Sequence, residues 1–156
     1  MLDTMTDQLA IFGNVALAGL FGAVIGLERE LARKPAGLRT HIFVAAGAAL
    51  LLSLGEIAVQ AFSEESYAQL VRADPIRLIH AIIVGVSFLG AGTIITNERK
   101  ARIEGLTTAA SMLLVMAIGL ATALGQWILA GATTLLAVAI LVGMRLVEKR
   151  LHDHTE

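Results

Sequence analysis

The sequence predicts an all-α fold: a polytopic membrane bundle of about five transmembrane helices, forming a single domain over residues 1–150 with a short tail over 145–156. Two observations carry this. The chain is 56% hydrophobic and only 16% charged, with a mean hydropathy of +0.77, whereas soluble domains carry roughly a quarter charged residues. The apolar residues also fall into long uninterrupted blocks, separated by short polar segments in which nearly all the charge is collected.

The first block, 9–27, has no charge and is long enough for one crossing. Ala18, Gly22 and Gly26 recur every fourth residue and so share a face that lets another helix approach closely. The segment before it carries Asp3 and Asp7 and no Lys or Arg, unlike a secretory signal, so this block is expected to remain in the mature protein. Residues 28–41 are polar and basic, and Pro35 and Gly37 break any continuous helix there.

The second span, 42–59, repeats the small-residue pattern at Ala45, Ala49 and Ser53 and holds Glu56 near its far end. A polar connection over 60–73 follows, with Tyr67 suited to the membrane interface. The third span, 75–96, starts at Asp74-Pro75, a capping residue followed by a first-turn proline. It runs toward Gly90 and Gly92, which mark either close packing or a backbone opening. A short charged loop over 97–104 leads to span four, 105–124. Gly125-Gln126 forms a minimal turn into span five, 127–144, whose Trp127 suits the aromatic belt.

Charge placement supports the five crossings. Threaded alternately, one side receives Arg29, Arg33, Lys34, Arg39, Arg99, Lys100, Arg102, Arg145, Lys149 and Arg150, and the other only Arg72 and Arg77. By the positive-inside rule the N-terminus lies outside and the C-terminus inside. The basic loops would also attract anionic lipid, at roughly 1 kcal/mol per cation.

Chemistry-bearing groups are sparse. Without cysteine, disulfides, thiolate catalysis and cysteine metal sites are excluded. No HExxH motif or Ser/His/Asp set occupies the spans, so an enzyme is not expected. A magnesium site uses one or two carboxylates with retained waters; the candidates are Glu28, Glu56 and Asp74, all near a membrane boundary. Asp74, Arg77 and His80 follow each other at helical spacing, with Ser87 about two turns further on. They form either a polar stripe or a cap, an interfacial cation and a hydrogen-bonded His. The HDHTE tail resembles a metal-binding run but lies at a chain end.

The segments GLERE (26–30), AGLRTH (36–41), DPIR (74–77), GVSFLGAG (85–92) and GLTTAAS (105–111) stand in the order and spacing of the MgtC/SapB family, which this sequence resembles from about Leu17 to Leu146. The resemblance implies a bacterial inner-membrane protein with about five helices, linked to magnesium limitation and, in some members, to survival inside host cells. It implies Glu28, Arg29, Arg39, Asp74, Arg77, Gly90, Gly92 and Thr107 as candidate site residues, because these fall on the family's motif positions.

The chain departs from the family in two places. Leu113 stands where many members have Trp, and the sequence runs only 12 residues past span five, short of the soluble C-terminal domain many members carry. The expected function is that of a non-enzymatic regulator acting through membrane helix contacts. It would work as a homo-oligomer or on another membrane protein, as is considered for ATP synthase with some members. The alternative is a magnesium or other ion transporter using the glycine-rich third span. Membrane lipid is an expected partner and nucleic acid is not; no cofactor is expected, with magnesium as the ion to consider.

Overall fold

The computed structural model describes residues 5–63, 75–97 and 102–153. Five helices appear in chain order: α1 (Met5–Leu31), α2 (Leu38–Ser63), α3 (Pro75–Gly92), α4 (Leu106–Ala123) and α5 (Trp127–Asp153). The fold is the all-α helical bundle that the apolar blocks predict. Four helices contain a run long and apolar enough to cross a membrane: Met5–Leu31, Leu38–Ala61, Leu106–Ala123 and Trp127–Val147. The apolar run of α3, Ile76–Gly92, is shorter. At 1.5 Å per residue it reaches about 25 Å, a little under the hydrocarbon thickness, which thinning or local packing can accommodate.

The turns explain where the helices stop. At the end of α1 the Arg33 N–H donates to the Glu30 carbonyl at 2.9 Å and the Lys34 N–H to the Arg29 carbonyl at 3.0 Å. This is a Schellman closure, with Arg33 (φ 54°) in the left-handed position that usually takes Gly. Seven residues after α1 ends, α2 begins, its Leu38 N–H held by the Glu30 carboxylate at 2.8 Å. The α4–α5 turn closes the same way, with Gly125 at φ 72° and the Gln126 N–H on the Ala121 carbonyl at 2.9 Å.

The helix α3 ends at Gly92, four residues before the bound read from the sequence. The next residues are β-branched and pair as strand β1 (Ile95–Asn97) with β2 (Arg102–Glu104), in antiparallel register Ile95↔Glu104. The charged loop expected at 97–104 is therefore flanked by a two-stranded ribbon. Gly105, at φ 95°, joins the ribbon to α4, and a Cβ there would collide with the Thr93 carbonyl.

Helices α1, α2 and α4 form the tightest group; α3 packs on α4 and α2, and α5 on α1 and α4. The small-residue faces make this closeness possible. Ala18, Gly22 and Gly26 are buried, and a Cβ on Gly26 would lie 2.8 Å from the Leu38 Cα and 2.9 Å from the His41 Cβ. Added Cβ atoms on Gly22 and Gly119 would strike the carbonyls of His41 and Ala45. Ala45, Ala49 and Ser53 are buried as well. Both faces thus serve packing within one chain. The core between them is filled by Ile25, Leu52, Met112, Val115 and Ile118, while α3 and α5 turn Val84, Phe88, Ile128 and Leu135 outward.

Candidate functional site

The bundle has a basic end, formed by the close of α1, the starts of α2 and α4, and the close of α5. At this end the last turn of α1 buries two charged side chains side by side. Glu28 and Arg29 are 7% and 4% exposed. The Arg29 Nε donates to the Glu28 Oε2 at 2.6 Å, and a terminal nitrogen of the same guanidinium lies 2.5 Å from that oxygen. The fork therefore closes on one carboxylate oxygen. Oε1, the other, is buried without a hydrogen-bond partner among the described residues. A buried acceptor left open in this way is costly unless a cation, a proton or water reaches it.

Beside the pair sits His41, fully buried in the first turn of α2. Its Nδ1 lies 2.9 Å from the Gly37 carbonyl and its Nε2 lies 3.0 Å from the Ser111 Oγ of α4. The Ser111 hydroxyl is also 2.8 Å from the Thr108 carbonyl. Because a carbonyl only accepts, Nδ1 carries a proton. Nε2 then has two arrangements open to it. It accepts from Ser111, which must turn away from Thr108, or it is protonated and donates to Ser111, which keeps its bond to Thr108. Ser111 serves either state by rotating its hydroxyl.

A cavity of about 460 Å³ opens beside Arg29. It is lined by Arg29, Ala32 and Lys34 from the α1 end, Thr107 from the first turn of α4, and Ile140, Leu141, Met144 and Arg145 from α5. A second, wider groove of about 680 Å³ runs between α2 and α3, with Arg39 at its basic end and Gly47, Leu51, Ile82 and Gly85 along it. At the opposite end of the bundle, Asn14, Ser53, Glu56 and Gln60 line a small cavity of about 220 Å³. There the Trp127 indole N–H donates to the Asn14 Oδ1 at 3.2 Å, tying α5 to α1.

Of the residues singled out from the sequence, Glu28, Arg29 and Thr107 meet at the basic end. Arg39 is exposed in the α2/α3 groove, apart from them. Gly90 is buried and packs on α4, where an added Cβ would lie 3.5 Å from Ala109. Gly92 is the exposed last residue of α3, with open space beside it. Arg77 stands in the first turn of α3, at the opposite end, and Asp74 lies outside the described residues. His41, Ser111, Thr108, Lys34 and Arg145 were not singled out. His41 and Ser111 do fall inside the AGLRTH and GLTTAAS segments, the one signal that would have found them. Among the described residues, no three His, Asp or Glu side chains gather as a metal-ligand set.

The MgtC family profile matches residues 15–150, nearly the whole bundle. The chain belongs to the MgtC family. A Haemophilus influenzae protein of uncharacterized function is 41% identical over 156 residues, covering 96% of this chain and 62% of its own length. The protein MgtC of Salmonella typhimurium LT2 is 34% identical over 152 residues, covering 96% of this chain and 60% of its own. An Escherichia coli K12 relative, YhiD, provisionally named a magnesium transporter, is 34% identical over 153 residues, covering 95% of this chain and 68% of its own. The chain thus spans about three fifths to two thirds of the length of these relatives. No solved structure matches it significantly. In this MgtC-family chain the buried Glu28–Arg29 pair belongs to the GLERE segment, and its neighbours His41 and Ser111 to two of the other segments.

Proposed function

We propose that this chain is a non-enzymatic regulator linked to magnesium homeostasis, acting through membrane helix contacts with copies of itself or with another membrane protein. It would sit in the bacterial inner membrane with its basic end in the cytoplasm, the N-terminus outside and the C-terminus inside. The names of its relatives support the magnesium link. One observation carries the regulatory reading. The middle of the bundle is closed by backbone-to-backbone packing at Gly22 and Gly119, while the buried charged pair is confined to one end. Two other buried hydroxyls, Thr122 in the last turn of α4 and Thr134 in α5, bond to their own helices at the Ile118 and Ala130 carbonyls, both at 2.8 Å. They offer no polar relay between the ends.

Because the small faces are occupied within the chain, contacts to a partner fall to the outward apolar sides of α3 and α5. The sequence has no cysteine, so single cysteines at Val84, Phe88 or Leu135 allow clean cross-linking in native membranes. A defined cross-linked species from an outward position, and none from the buried Ile82, is the expected result. Absence of any adduct along both helices would contradict the reading. A second reading, ion transport, is favoured by the unpartnered Glu28 Oε1. It predicts magnesium flux that Glu28→Gln abolishes.

A further inference from the structure

We propose that the cavity over Arg29 is a binding site for a phosphate group. The inference holds whether the bundle regulates or transports. Among the described residues, three cations line the cavity, Arg29, Lys34 and Arg145, and no Asp or Glu does. Glu28, beneath, is paired with Arg29. Lys34 and Arg145 have no ion-pair partner among the described side chains. Among the described side chains the cavity wall therefore carries more positive than negative charge, with Arg29 buried and Lys34 and Arg145 exposed at its rim, and such a concave basic surface attracts an anion.

Its geometry is built. Arg29 is buried and held in one orientation by the two contacts to Glu28. The Schellman closure fixes Lys34 next to it through the bond to the Arg29 carbonyl. Thr107 brings a hydroxyl from the first turn of α4, and that helix starts at Gly105 with no side-chain cap. A planar guanidinium, an ammonium, a second guanidinium and a hydroxyl at a helix start together suit a tetrahedral oxyanion better than a planar carboxylate. Opposite stand Ile140, Leu141 and Met144, an apolar wall that an acyl or glycerol moiety would cover. Phosphate of this chemistry comes from the headgroup of an anionic phospholipid or from a free phosphate.

The test is thermal unfolding of the full chain in uncharged detergent, titrated separately with phosphatidylglycerol, with inorganic phosphate, and with an uncharged diacylglycerol. Wild type should be stabilised in a saturable way by one of the first two and not by the third. Stabilisation by phosphatidylglycerol alone assigns the headgroup; stabilisation by inorganic phosphate assigns a free anion. The Lys34→Gln/Arg145→Gln double variant, whose changes lie at the cavity wall, should unfold at the starting temperature of wild type yet bind about ten-fold more weakly. The charge-keeping Lys34→Arg/Arg145→Lys pair should bind like wild type, as should Arg39→Gln in the other groove. No stabilisation by either phosphate source overturns the site. So does equal weakening by Arg39→Gln, which would show diffuse surface charge, or undiminished binding by both double variants.

Discussion

The imidazole of His41 joins α2 to α4: its Nε2 stands 3.0 Å from the Ser111 Oγ, across 70 residues of chain. This contact lies where the glycines of α1 let the helices approach most closely, since Gly22 and Gly26 both pack against His41. Ser111→Ala leaves Nε2 buried without a partner. Such a loss costs about 1–3 kcal/mol, so the melting temperature in detergent should fall by several degrees. An unchanged value would mean that the ring finds water there or that the contact is slack.

The glycines separate into those with neighbours and those without. Gly119→Ala forces a methyl into the Ala45 carbonyl, and rigid backbone cannot yield as a side chain can. It should cost about 2 kcal/mol or more of stability. Gly13→Ala and Gly143→Ala, with nothing within 4 Å of the added carbon, should be neutral or slightly stabilising by helix propensity. Equal effects across the three, measured by thermal unfolding, would show that the α2–α4 approach is looser than described.

At Gly90 the outcome depends on size. An added Cβ lies 3.5 Å from Ala109, an ordinary contact, so Gly90→Ala should be tolerated and Gly90→Leu should not. Ala91→Leu points outward and should match wild type in yield and melting temperature. If the two leucine variants behave alike, α3 does not dock on α4 through this face.

Among the arginines, burial decides the effect. Arg29→Ala strands the Glu28 carboxylate, and breaking a buried pair costs about 3 kcal/mol. Arg39→Ala removes an exposed cation in the α2/α3 groove and should leave the melting temperature unchanged. Arg33→Gly, at φ 54°, should raise stability by about 0.5–1 kcal/mol, because Gly relieves the left-handed backbone at the Schellman position. A fall on Arg33→Gly would show that its side chain matters more than its backbone.

Much of the fold was legible because it rests on local patterns. The Asp74-Pro75 start, the Gly125-Gln126 turn and the four-residue repeat of Ala18, Gly22 and Gly26 are short-range signals, and the helices follow them. The ribbon was not legible: three residues on each strand are too few for alternation to show beside the charges of that loop. The candidate site was half legible. Glu28 and Arg29 stand out in the GLERE segment, but side chains adjacent on a helix diverge by about 100°, so the sequence leaves open whether Arg29 or Arg39 pairs with Glu28. Arg29 takes that role because both groups are carried inside together, and a desolvated charge binds its nearest counter-ion. His41 and Ser111 escaped because no periodicity records a contact made across 70 residues.

The central claim is that the bundle is closed in its middle and keeps its buried Glu28–Arg29 pair at one end. Magnesium flux into liposomes holding the purified chain, with Glu28→Gln and Asp74→Ala alongside, tests it most directly. The account predicts uptake no faster than in protein-free liposomes for all three proteins. Uptake by the wild type that Glu28→Gln abolishes would contradict it and make the unpartnered carboxylate oxygen part of an ion path.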